Sequence, residues 1–105
     1  MSMFLYRLIP HRSDLPDTMT EAEAAVMGAH VAYWQALADT GTAVTFGPVA
    51  DPAGAWGLAV VAAETQAEVE ALRVQDPAVT NNLGTVDVLP MPGAIVGRTV
   101  PGTDH

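Results

Sequence analysis

AVTFGPVADPAGAWGLAVVAA, residues 43–63, contains two runs rich in β-branched and aromatic residues on either side of the turn-forming ADPAG. Asp, Pro and Gly at its centre favour chain reversal, so the runs read as an antiparallel hairpin. Helical patterns flank this hairpin on both sides. Upstream, Thr20 and Glu23 stand in capping-box register before EAEAAVMGAHVAYWQALADTG, residues 21–41, where Gly41 is a left-handed stop. An apolar stripe runs through Ala22, Val26, Ala29, Tyr33 and Leu37 at three- and four-residue steps. Downstream, Thr65 and Glu68 repeat the capping pattern in TQAEVEALRVQ, residues 65–75, a helix packing Val69 and Leu72. Outside the helices lie MFLYRLI, residues 3–9, closed by Pro10, and TVDVLPM, residues 85–91. Both read as strands.

The order is therefore β-α-β-β-α-β, an α+β ferredoxin-like arrangement of two helices on one face of a four-stranded antiparallel sheet. HRSDLPDTM, residues 11–19, reads as a polar connection. Residues 1–92 form the domain, and residues 93–105 a Gly/Pro-punctuated tail whose apolar middle, Ala94 to Val96, is placed to dock or pair. In WGLAVVAA, Trp56, Leu58 and Val60 share one face while Ala59 and Val61 share the other, so neither face of the sheet is polar. Two helices cover one face only. A second copy of the chain is the simplest cover for the other, and a homodimer packed sheet to sheet is expected.

A chain of 105 residues and 10.9 kDa fits one domain, with no room for a separate cofactor-binding unit. Half its residues are hydrophobic and its mean hydropathy is +0.24, so it folds despite a formal charge of -8. Its only bases, besides three histidines, are four arginines, Arg7, Arg12, Arg73 and Arg98. Nucleic acid and anionic membranes are therefore excluded as expected partners. The absence of cysteine removes disulfides, thiolate metal sites and a Cys nucleophile. The opening MSMFLYRLIP, broken by Arg7, matches neither a signal peptide nor a membrane span, and a cytoplasmic protein is expected.

His11, His30 and His105 match no metal-ligand spacing, and no metal site is expected. Nor is there a G-x-S-x-G elbow, a phosphate-cradling loop or a dinucleotide fingerprint, so no cofactor is expected. His30 lies one turn after Val26 and one turn before Trp34, at the edge of the packing stripe. Half-buried there, an imidazole either satisfies itself on a backbone carbonyl or accepts a proton at neutral pH. Asp76 before Pro77 reads first as the N-cap of a short helical turn. Asp51 before Pro52 reads as a turn residue. Gly47 and Pro48 mark a bulge or a close ligand approach. Tyr33, Trp34 and Trp56 are core aromatics or the walls of a pocket for a flat molecule. Arg7, on one strand face with Leu5 and Ile9, is an anion clamp if that face lines a cavity and otherwise snorkels.

The ordered set AHVAYWQALADTG, FGPV, DPAG, QDPAV and LPMP resembles the YciI-related family of the dimeric α/β-barrel superfamily, over about residues 3–92. The resemblance implies a ferredoxin-like protomer, a dimer that forms a barrel from two sheets, and a cleft where a helix histidine meets the aspartate of an Asp-Pro motif. These are His30 and Asp76, with Gly47 and Pro48 as the Gly-Pro pair; Arg7, Trp34 and Trp56, read from their own positions, are further candidate substrate contacts. One departure is Ala78, which follows Asp-Pro where members often place an aromatic residue. Neighbouring families on this fold include muconolactone isomerases and cofactor-free monooxygenases, so the fold does not select a reaction. With His30 as general acid or base and Asp76 orienting its ring, isomerase, lyase or dehydrohalogenase chemistry on a small organic molecule is implied. A non-catalytic metabolite-binding or protein-interaction module is the alternative.

Overall fold

The computed structural model describes residues 1–97. Its elements are β1 (Ser2–Pro10), α1 (Leu15–Thr18), α2 (Glu21–Asp39), β2 (Ala43–Val49), β3 (Trp56–Ala63), α3 (Gln66–Arg73), α4 (Pro77–Thr80) and β4 (Gly84–Pro90). The four strands form one sheet in the order β2-β3-β1-β4 with every neighbouring pair antiparallel, the ferredoxin-like α+β topology. Gly84 lets β4 lie tight on β1, since a Cβ there would stand 2.4 Å from the Ile9 carbonyl oxygen.

Capping chemistry starts both long helices as the sequence dictates. Thr20 accepts from the Glu23 N–H while the Glu23 carboxylate accepts from the Thr20 N–H, a complete capping box. At α3 the Thr65 hydroxyl accepts from Glu68, whose own carboxylate reaches back one residue further, to the Glu64 N–H. After α2, Gly41 takes φ +82°, the left-handed conformation of a helix stop.

Strand alternation then sorts the side chains. Phe4, Tyr6 and Leu8 of β1, Ala59, Val61 and Ala63 of β3, and Val88 of β4 are buried, and Trp34 of α2 and Val69 of α3 join most of them in one core cluster. The opposite face carries Leu5, Ile9, Leu58, Val60 and Leu89, of which Ile9 and Leu89 remain 37% and 45% exposed. Arg7 lies on this second face, paired with Asp87 at 2.7 Å and with its guanidinium over the Trp56 ring.

Three local expectations change. Residues 11–19 contain a helical turn, α1, because Pro16 supplies helical φ in its first turn and Leu15 is buried as an anchor. The packed face of α2 is rotated from the expected stripe: Ala22 and Ala29 are exposed, whereas His30 and Trp34 are buried. Large side chains, offering more surface to bury, set the helix orientation over methyl groups. In the tail, Ile95 and Val96 are exposed and form no strand, while residues 98–105 of the expected tail lie outside the described residues. No described helix is long and apolar enough to cross a membrane.

Candidate active site

Asp76 organises the site. It is the N-cap of α4, as the Asp-Pro reading predicts, but its carboxylate does far more than cap. One oxygen, Oδ1, accepts from the Ala78 N–H at 3.0 Å and from His30 Nδ1 at 2.6 Å. The other, Oδ2, accepts from the Tyr6 hydroxyl at 2.7 Å and from Trp34 Nε1 at 3.0 Å. Four donors thus fill the roughly four lone-pair sites of an ionised carboxylate. The side chain is entirely buried.

Burial by itself would raise the Asp76 pKa, but the hydrogen bonds from His30, Trp34 and Tyr6 outweigh it and hold the group below the ordinary carboxylate value. Burial, followed by the bond to Asp76, pushes the Tyr6 phenol far above its usual range, so Tyr6 remains a donor. Burial and the Asp76 charge also raise Tyr33, whose hydroxyl donates to the Leu72 carbonyl.

An ionised carboxylate cannot donate, so His30 Nδ1 must carry the proton of this bond. The tautomer is thereby fixed. In the neutral ring the lone pair sits on Nε2, which has no hydrogen-bond partner among the described residues. The imidazole is buried more deeply than its helix position suggests, with an edge-on contact to Phe46 at 5.5 Å. Phe46 in turn stacks on Trp34.

His30 borders a cavity of about 240 Å³ between α2, α1 and the β1-β3-β2 side of the sheet. Met19 and Val31, both exposed, line its opening. Of the residues singled out from sequence, His30, Gly47, Pro48 and Trp56 meet at this cavity. Trp34 lies beneath it with no exposed surface and serves Asp76 through its indole N–H. Arg7 does not line the cavity: it pairs with Asp87 on the other face of the sheet, with its guanidinium over the Trp56 ring. Asp51 holds the hairpin turn, accepting from the Ala53 N–H and from Trp56 Nε1. Sequence reading passed over Tyr6, although alternation with Phe4 and Leu8 places its hydroxyl on the helix side, where a buried phenol needs a partner. It also passed over Leu15 and Met19, which complete the cavity wall.

Residues 10–20 form a strap over this wall, clasped to α2 by Arg12. The guanidinium bonds both oxygens of Glu23, at 2.9 and 2.7 Å, while its Nε bonds the Thr18 hydroxyl at 2.8 Å. Arg12 and then the Thr20 N–H hold the Glu23 carboxyl down to about pKa 2. Arg12→Ala is expected to speed amide hydrogen exchange in residues 12–18 while leaving the sheet amides protected. Equal rates in parent and variant would show that the Arg12 clasp does not hold the strap.

Among the described residues no group of three or more His, Asp or Glu side chains converges as a metal site would require. No curated protein matches the chain. Residues 3–92, nearly the whole described fold and every residue of the His30–Asp76 cluster, match the YCII-related domain, and the chain belongs to that family.

Proposed function

We propose that the protein is a cofactor-independent enzyme acting on a small organic molecule, with His30 Nε2 as the group that takes and returns a proton. The observation that carries this reading is the 2.6 Å contact of His30 Nδ1 with a fully buried carboxylate, while Nε2 has no hydrogen-bond partner among the described residues and the residue lines a cavity. Such an arrangement fixes the tautomer, orients the ring and stabilises the imidazolium formed when Nε2 is protonated. Asp76 is a positioning residue, because the imidazole lies between it and the cavity. Isomerisation, elimination and dehydrohalogenation suit these parts, since each turns on proton transfer. The test is a turnover screen of the parent and His30→Ala across neutral lactones, enols and halogenated ring compounds. Activity in the parent that survives in a folded His30→Ala protein would end the proposal.

A non-catalytic metabolite-binding module is the second reading. It is favoured by the scarcity of polar atoms in the cavity, where His30 supplies the single ionisable side chain among the lining residues. A parent that binds ring compounds but turns none over would select it.

The second sheet face supports a homodimer packed sheet to sheet, giving the dimeric α/β barrel of the wider superfamily. Val60, opposite Leu5 on β1 and Thr45 on β2, sits near the middle of that face. Val60→Asp would place a charge against apolar surface and is expected to turn a dimer sedimenting at twice 10.9 kDa into a monomer. A parent that sediments as a monomer at micromolar concentration would refute the dimer.

A further inference from the structure

We propose that the molecule held beside His30 is uncharged, about the size of one substituted ring, and apolar except for a single hydrogen-bonding group that meets Nε2. This rests on the His30 site described above but concerns what fills it, and so is tested by binding rather than by turnover.

Size is the first argument. A cavity of about 240 Å³ is smaller than the range of roughly 300–1,000 Å³ that holds drug-sized ligands. A molecule much larger than one ring would extend past Met19 and Val31 into solvent. Wall chemistry is the second argument. Leu8, Leu15, Met19, Met27, Phe46 and Pro48 present carbon and thioether surface. The two methionines adapt to the outline of a ring and make favourable contacts with its edge.

Charge is the third argument and the decisive one. An anion entering this space would leave water for a wall with no cationic side chain among the described residues other than His30 itself. The arginines that could have served are engaged elsewhere: Arg7 with Asp87 on the far face, Arg12 with Glu23 outside the cavity wall, and Arg73 with Glu70. A cation fares no better. The Asp76 carboxylate is shielded behind the imidazole and already accepts four hydrogen bonds. An anion could meet only a His30 imidazolium whose charge is already paired with Asp76, and a cation would meet none, so an ion of either sign loses hydration with little compensation. A neutral molecule avoids this. If its acidic proton passes to Nε2 and returns to another atom of the same molecule, the only charges formed are an adjacent imidazolium and its conjugate anion, and no net charge crosses the wall.

Three probes of similar size separate the possibilities: phenol, toluene and benzoate, titrated into the full chain and followed by calorimetry and NMR. Phenol is expected to bind, to shift the Met19 and Met27 methyl signals, and to move the His30 Nε2 nitrogen resonance. Toluene should reach the same methyl groups and leave Nε2 without a new hydrogen bond. Benzoate should bind at least about tenfold more weakly than phenol, because an uncompensated buried ion costs several kcal/mol. Benzoate binding as tightly as phenol, with shifts at the same methionines, would overturn the proposal, as would failure of both neutral probes to reach them at millimolar concentration. Met27→Lys, which adds a cation to the wall, is expected to reverse the preference toward benzoate. His30→Ala should keep toluene binding, so the ligand class stands or falls separately from the catalytic role.

Discussion

Asp76→Ala is expected to remove about 3–5 kcal/mol of stability, the usual cost of breaking a buried ionic pair by deleting one partner. The substitution leaves the Tyr6 hydroxyl, Trp34 Nε1, His30 Nδ1 and the Ala78 N–H without their acceptor in a region that water does not reach. In a domain of this length the loss corresponds to a fall in Tm of more than about 10 °C, to be read by calorimetry. Asp76→Asn is the sharper variant. An amide can present its oxygen to His30 and Ala78 but then turns its NH2 toward Trp34 Nε1, so two donors face each other. A melting temperature within a few degrees of the parent for both variants would show that the cluster is a consequence of the fold and contributes little to it.

The same carboxylate sets an acid limit. Its pKa is lower folded than unfolded, because the bonds from His30, Trp34 and Tyr6 outweigh desolvation. A depressed acid stabilises the fold above its unfolded value, near pH 4, and that contribution disappears as the pH falls through the folded value. Urea midpoints should therefore show this contribution fully above about pH 4 and losing it below. Tyr6→Phe removes one of the bonds that depress the pKa and should shift the onset of acid unfolding to higher pH.

The second large effect is on chemistry. If Nε2 is the proton carrier, His30→Ala lowers kcat by about 10²–10⁴-fold, the usual contribution of a positioned acid or base. Asp76→Glu provides the control for the positioning role. A carboxylate displaced by one methylene keeps the charge but misplaces the ring, so kcat should fall while KM changes little, and the pH profile of kcat should shift. Loss confined to KM would assign both residues to binding and favour the non-catalytic reading.

The topology was legible because its signals are local. Thr20 with Glu23, the Asp51 turn and the β-branched runs each act within a few residues and do in the structure what their chemistry dictates, while Thr65 caps α3 but the Glu68 carboxylate returns to Glu64 and leaves that box half formed. The orientation of α2 was not legible, for a compositional reason. Alanine occupies positions 22, 24, 25, 29, 32, 36 and 38, on every side of the helix, so apolar periodicity hardly distinguishes one face from another. His30 and Trp34 face inward, where they also meet Asp76, 46 and 42 residues away along the chain and invisible to any local pattern. The resemblance paired His30 with Asp76, but spacing could not, and neither brought in Tyr6, 70 residues from its acceptor. Arg7 shows the opposite limit: alternation assigned its strand face, yet the position of the cavity depended on a strap that looked like an ordinary polar loop.

The saturated carboxylate has a consequence for how this chain can change over time. Tyr6, His30 and Trp34 each donate to the same two oxygens, so replacing any one alters the protonation and packing seen by the rest. The effects of single replacements will not add, and a neutral drift at one position alone is closed off. These side chains, drawn from a strand, a helix and a loop, form one heritable unit, which can be exchanged whole but is not improved piece by piece.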